Sequence, residues 1–192
     1  EKYRFSSDAR TGTDTALGGA GLPDEGEDCL NLNVWTPDLS STANLPVMVW
    51  LHGGGQVSGS GASGLYDGSH FASDGVVLVT CNRRLGAEGY LYLEEVFGEG
   101  VGPGNLGIQD VICVLEWVAE NINQFGGNPD NVTLFGESGG GAATQSVIAT
   151  PGSEGLVRRA IIQSGGHAAQ RVVASRGATQ RDSESWYSPS FG

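Results

Sequence analysis

Asn131-Val132-Thr133-Leu134-Phe135-Gly136-Glu137-Ser138-Gly139-Gly140 reads as a buried apolar strand running into a G-x-S-x-G turn. This is the sequence form of a nucleophile elbow, where a serine is held on a sharp strand-to-helix bend. A Cβ at Gly136 or Gly140 would collide with the crossing backbone of so tight a turn. In a chain with 32 glycines the pentapeptide alone is a weak signal, so its surroundings decide. Val132, Leu134 and Phe135 supply the strand, and Ala142 to Ile148 supplies a helix that ends before Pro151.

Far upstream, Pro46-Val47-Met48-Val49-Trp50-Leu51 is a second apolar strand, and it empties into His52-Gly53-Gly54-Gly55. Attack on an ester carbonyl places negative charge on its oxygen, which pre-aimed N–H donors stabilise. Backbone donors must approach the substrate closely, so glycine is preferred over any residue with a side chain. The His52–Gly55 segment has the form of such an oxyanion loop, and the Gly139 N–H after the serine would complete it.

The chain has 192 residues, 39% hydrophobic, with a mean hydropathy of −0.15, enough for one domain with a real core. No apolar run approaches the roughly 20 residues of a membrane span. Net charge is −12, with Lys2 the single lysine against 22 acidic residues. That balance disfavours nucleic acid or an anionic membrane as partner, because both need clustered cations. A solubility surface explains the acid excess more simply than a saline habitat. Cys29, Cys81 and Cys113 are widely spaced, which indicates neither a zinc site nor a disulfide framework. Cys81 in a strand and Cys113 in an apolar helix read as buried packing thiols, whereas Cys29 lies in a polar stretch.

Residues 6–28 are polar and read as a surface loop. From Cys29 to Trp35 the pattern alternates, with Leu30, Leu32 and Val34 facing inward, Asn31 and Asn33 outward, as in a half-buried strand near a sheet edge. Strands at 46–52 and 76–82 flank a Gly/Ser loop at 58–69. A glycine-broken segment, 86–107, leads to a helix from about Ile108 to Phe125, in which Val111, Val114, Leu115, Val118 and Ile122 recur at spacings of 3 and 4. A last strand runs from Arg159 to Ser164, and residues 170–192 form a poorly patterned tail. Apolar strands alternating with helices argue for an α/β fold, a largely parallel sheet with helices on both faces. Ligands of such sheets bind at the carboxyl ends of the strands, where both glycine motifs fall.

These residues resemble the type-B carboxylesterase and cholinesterase family of α/β-hydrolases. Glu27 to Trp35 is similar to its edge-strand signature, and Pro46 to Gly55 to its oxyanion segment. Asn82-Arg83-Arg84-Leu85-Gly86 resembles its N-Y-R-L-G turn. Gly104 to Asp110 with Glu116-Trp117-Val118 resembles the following helix, and Phe125 to Pro129 with Phe135 to Gly141 the strand and elbow. The resemblance covers about 27–166. It implies a cofactor-free, metal-free serine hydrolase of small-molecule esters, with Ser138 as nucleophile and Gly54, Gly55 and Gly139 as oxyanion donors. It also implies Glu137 as a supporting buried acid, and an ion pair of Arg84 with Asp110 that gives a buried charge its partner. The family disulfide of the residue matching Cys29 has no earlier cysteine to form with here. Three positions depart from the family pattern: Gly139 stands where alanine is usual, Gln56 where an aromatic is common, and Arg83 where tyrosine is usual. Gln56 and Arg83 are expected to make the pocket more polar.

A serine hydroxyl needs a general base, and the base an orienting acid. In α/β-hydrolases the chain order is Ser, Asp/Glu, His. Family members are much longer, so the resemblance implies triad partners beyond residue 192 and an α/β-hydrolase domain present in its amino-terminal part. His52 reads as structural and His70 as solvated. His167, after the last strand, is this chain's own candidate for a pocket residue or substitute base, with Asp182 and Glu184 following it. The alternatives are a non-catalytic cholinesterase-like adhesion domain, an inactive fragment, or a lipase of the hormone-sensitive type; Glu137 before the serine and the Glu27–Trp35 signature argue against the lipase. Half a sheet would expose a strand edge, which predicts self-association.

Overall fold

A computed structural model describes residues 4–5, 29–92, 94–98, 100, 102 and 104–165. The loop read at 6–28, the tail at 170–192, and His167, Asp182 and Glu184 lie outside the described residues.

Six strands form one sheet: β1 (Arg4–Phe5), β2 (Asn31–Trp35), β3 (Leu45–Leu51), β4 (Val77–Cys81), β5 (Gly127–Glu137) and β6 (Arg159–Gln163), in the order β1-β2-β4-β3-β5-β6. β4, β3, β5 and β6 pair in parallel, and β2 runs antiparallel to β4. Five helices are described: α1 (Ser69–Ser73), α2 (Gly86–Tyr90), α3 (Glu94–Phe97), α4 (Leu106–Asn121) and α5 (Gly139–Ile148).

The period of two along β3 and β5 builds two unlike faces. Val47, Val49, Leu51, Val132 and Leu134 pack with Val111, Val114, Leu115 and Val118 of α4 and Val147 of α5 in the main core. On the opposite face Trp50 stacks on Phe135 and Tyr66 with ring centroids at 4.8 and 5.3 Å, and Phe71 of α1 closes on Phe135 at 6.0 Å. Long helices cover one face, while a short helix and aromatic rings cover the other. Such tilted ring pairs add about 0.5–1.5 kcal/mol each beyond their buried area.

β2 lies near the edge as expected, second in the sheet, with the two-residue β1 pairing along it. Other features differ from the sequence-based expectation. Asn33 is buried rather than solvent-facing; its Nδ2 donates to Thr80 Oγ1 at 3.1 Å beneath the Gly/Ser loop. Cys81 is buried as expected, and burial pushes its thiol up to about 12. Cys113 is exposed, contrary to expectation, because its place on α4 falls between the inward positions of Val111 and Val114. Every residue of β6 is exposed, Ile161 and Ile162 included.

The sheet decides where the functional segments meet. β3 and β5 are adjacent and parallel, with Leu51 opposite Gly136. The loop after Leu51 and the turn after Glu137 therefore leave the same edge side by side.

Candidate active site

Ser138 caps α5 at φ 51°, ψ −117°, a left-handed conformation that costs a residue with a Cβ about 1–3 kcal/mol. The bend persists because neighbours fix it. The Ser138 N–H donates to the Gln163 carbonyl at 2.8 Å, and the Ala142 N–H to the Ser138 carbonyl at 2.9 Å. A Cβ on Gly140 would occupy the place of the Leu51 carbonyl oxygen, so only glycine lets the first turn of α5 cross the end of β3.

The other loop lies against that turn. Gly54 and Gly55 adopt φ of 102° and 63°. The Gly54 carbonyl accepts from the Val57 and Ser58 N–H groups, both at 3.1 Å, which folds the loop back on itself. Among the described residues the Gly54 and Gly55 N–H groups donate no hydrogen bond to the backbone. The Gly139 Cα faces them closely: a Cβ there would stand 2.9 Å from the Gly55 nitrogen and 3.1 Å from that of Gln56. Two backbone segments thus converge beside a strained serine, with donors left open at a helix N-terminus.

His52 is buried at the head of the loop, where Nδ1 pairs with the Gly53 carbonyl at 2.8 Å. A carbonyl only accepts, so Nδ1 carries the proton. Nε2 is buried with no hydrogen-bond partner among the described residues. Burial, then the nearby Arg83 charge, lowers its pKa from 6.5 to about 4, so the ring is neutral at physiological pH. His70 is exposed on α1.

Glu137, expected as a buried acid, is exposed. It ends β5 on the face of Phe135, beyond the aromatic cluster, and its Oε2 stands next to Gly53. Gln56 turns inward rather than lining an open pocket: Nε2 donates to the Gly139 carbonyl at 3.0 Å, and Oε1 accepts from the Tyr90 hydroxyl at 2.5 Å and from Arg83 Nη2 at 3.4 Å. Arg83 is 3% exposed, and Nη2 also donates to the His52 carbonyl at 3.0 Å. Tyr90 carries no signal in the sequence, because it lies in the glycine-broken segment with no motif around it. Arg84 meets Asp110 through Nη2–Oδ1 at 2.6 Å and Nε–Oδ2 at 2.9 Å, and its own N–H reaches Oδ2 at 2.9 Å. Asp110 is 5% exposed at its side chain and Arg84 36%, so the carboxylate is the buried member.

Among the described residues no group of three or more His, Cys, Asp or Glu is placed to hold a metal ion, and no helix is long and apolar enough to cross a membrane.

Residues 4–185 match the profile of the Carboxylesterase family. The chain is 51% identical over 145 residues to the para-nitrobenzyl esterase of Bacillus subtilis, covering 75% of this chain and 29% of that protein. It is 49% identical over 140 residues to an acetylcholinesterase of Danio rerio, covering 72% of this chain and 22% of the relative. Among solved structures, the carboxylesterase of Geobacillus stearothermophilus superposes with a TM-score of 0.67 at 48% identity, over 70% of this chain and 28% of that one. The chain thus spans less than a third of these relatives' lengths, and its architecture is that of part of the α/β-hydrolase fold.

Proposed function

The chain belongs to the carboxylesterase family, and from that premise we propose that it carries the nucleophile and oxyanion donors of a carboxylic ester hydrolase. The observation that carries the reading is the convergence of Ser138, strained at φ 51°, with a glycine loop whose Gly54 and Gly55 amides are free among the described residues. Ser138 Oγ bonds to the ester carbonyl carbon while a base takes its proton, and the carbonyl electron pair moves onto oxygen. The N–H groups of Gly54, Gly55 and Gly139 stabilise that oxyanion. Collapse expels the alcohol, which takes the proton from the base and leaves an acyl-Ser138 ester. Water repeats the sequence, releasing the acid and restoring the hydroxyl.

Neither described histidine suits the base. His52 is a loop brace whose Nδ1 is engaged, and His70 is on the surface. The base is therefore assigned to a histidine outside the described residues, with His167 the candidate in this chain.

Hydrolysis of p-nitrophenyl butyrate by the chain beside Ser138→Ala tests this. Turnover lost in the variant is expected, and turnover retained in it rejects Ser138 as nucleophile. If turnover depends on Ser138, His167→Ala decides whether residue 167 supplies the base. If neither protein turns over, a fluorophosphonate that labels Ser138 in the parent reads the oxyanion site directly.

A further inference from the structure

A buried guanidinium is ordinarily found with a carboxylate, because an unpaired charge away from water is costly. Arg83 is 3% exposed, yet among the described residues no acid meets it. Nη2 donates to the His52 carbonyl at 3.0 Å and to Gln56 Oε1 at 3.4 Å, while Nε and Nη1 meet no hydrogen-bond partner among the described residues. The two acceptors bracket the glycine loop, one residue before Gly53 and one after Gly55. Gln56 extends the contact, since its Nε2 donates to the Gly139 carbonyl at 3.0 Å. Gln56 itself stands at φ 70°, where a residue with a side chain needs support. Its carbonyl accepts from the Gly86 N–H at 2.7 Å, and Tyr90 O–H bonds its Oε1. Arg83, Gln56 and Gly139, the three departures from the family pattern, therefore touch in a row.

We propose that Arg83 is a positioning residue which, acting through Gln56, clamps the Gly53–Gly55 loop onto the turn after Ser138 and fixes the spacing of the Gly55 and Gly139 amides. This rests on the reading of those amides as oxyanion donors. Donors of this kind must be held within about 0.5 Å of the productive geometry to be effective. Hydrogen bonds from a charged donor are roughly twice as strong as neutral ones, so a guanidinium on the His52 carbonyl and the Gln56 amide is a stiff fastening. The same buried charge also favours negative charge on a nearby oxygen, which develops only during reaction.

The test compares the 192-residue chain with Arg83→Met, Arg83→Lys, Gln56→Leu and the Arg83→Met/Gln56→Leu double variant, with Ser138→Ala as control. Hydrogen exchange followed by mass spectrometry reads the clamp without turnover. In Arg83→Met, peptides carrying the hydrogen-bonded amides of Val57 and Ser58 in the one loop and of Ser138 and Ala142 in the other should exchange about tenfold faster, while those of α4 are unchanged. The double variant should exchange no faster than Gln56→Leu. Unchanged exchange in both loops, or equal acceleration throughout the chain, overturns the proposal. In Ser138-dependent turnover of p-nitrophenyl butyrate, Arg83→Met should lower kcat about tenfold and leave KM within about twofold, with Arg83→Lys restoring part. A raised KM at unchanged kcat overturns it as well. Turnover that survives Ser138→Ala rejects the ester-hydrolase mechanism instead. If the chain shows no turnover, the exchange rates alone decide whether the clamp exists.

Discussion

Arg84 lays its guanidinium on Asp110 with contacts of 2.6 and 2.9 Å, while Arg83, one residue earlier, is buried against carbonyl and amide oxygens with no carboxylate among the described residues. The Arg84 side chain keeps 36% of its surface in water and binds a buried acid; among the described residues the more deeply buried Arg83 meets only neutral acceptors. Arg84 ties the turn after β4 to α4, an arrangement that holds the scaffold together. Arg83 ties the glycine loop to the elbow; on the proposed reading, its fixed positive charge costs stability in the resting protein and would act once an oxyanion forms. Compensation marks the structural arginine, and its absence marks the one set beside the chemistry.

The comparison breaks most visibly at Asp110. Asp110→Asn removes the charge on which Arg84 and its own N–H converge, and the expected loss is about 3 kcal/mol, at the lower end for a buried pair because Arg84 is part-solvated. Urea unfolding reads it; a loss below about 1 kcal/mol would reduce the pair to an ordinary surface contact. A second probe is acid. His52 titrates near 4 in the fold against 6.5 ordinarily, so between those values the unfolded chain binds more protons. Its contribution, up to about 3 kcal/mol, is complete above pH 6.5 and drains as pH falls through 4. Arg83→Met removes the second-largest cause of that depression and should raise the His52 value, which an NMR titration of the ring detects. Arg83→Met itself should leave stability within about 1 kcal/mol or raise it, since it trades an uncompensated buried charge for an apolar chain. A loss like that of Asp110→Asn would mean that Arg83 is as structural as its neighbour.

How much of this was legible follows from what each feature depends on. The apolar runs of β3, β4 and β5 announce themselves because a strand buried on both faces is continuous in hydrophobicity. The helix at 106–121 shows its period through Val111, Val114, Leu115 and Val118. The first turn of α5 is hidden because Gly139-Gly140-Gly141 is a poor helix former by propensity, and crossing the end of β3 overrides that cost. The short helices α1 to α3 have too few residues for a period to register. Asn33 reads as outward-facing because alternation cannot foresee the loop at Gly61 returning to cover it beside Thr80 of the neighbouring β4. Ser138 and its glycine loop are visible as motifs, and Arg83, Gln56 and Gly139 as departures from a pattern. That those departures touch is not visible, because Gln56 and Gly139 are 83 residues apart and only the pairing of β3 with β5 brings them together.

The finest test lies at Gly139, where two small effects oppose. Alanine is the better helix former by roughly 0.5–1 kcal/mol, and Gly139 opens α5 without a positive φ, so the backbone accepts it. The new Cβ would nevertheless stand 2.9 Å from the Gly55 nitrogen, a backbone atom that cannot swing aside as a side chain does. The loop must withdraw by a few tenths of an ångström, and whether it can depends on Gln56, whose Nε2 fastens it to the Gly139 carbonyl. Gly139→Ala alone should therefore destabilise by about 0.5–1 kcal/mol, contact outweighing propensity. Combined with Gln56→Ala, the loop is free to retreat, propensity wins, and the same substitution becomes neutral or stabilising. A double-mutant cycle by urea unfolding measures the coupling. Additive effects would mean that Gln56 does not restrain the loop, and the distinction between a compensated and a working arginine would lose its second link.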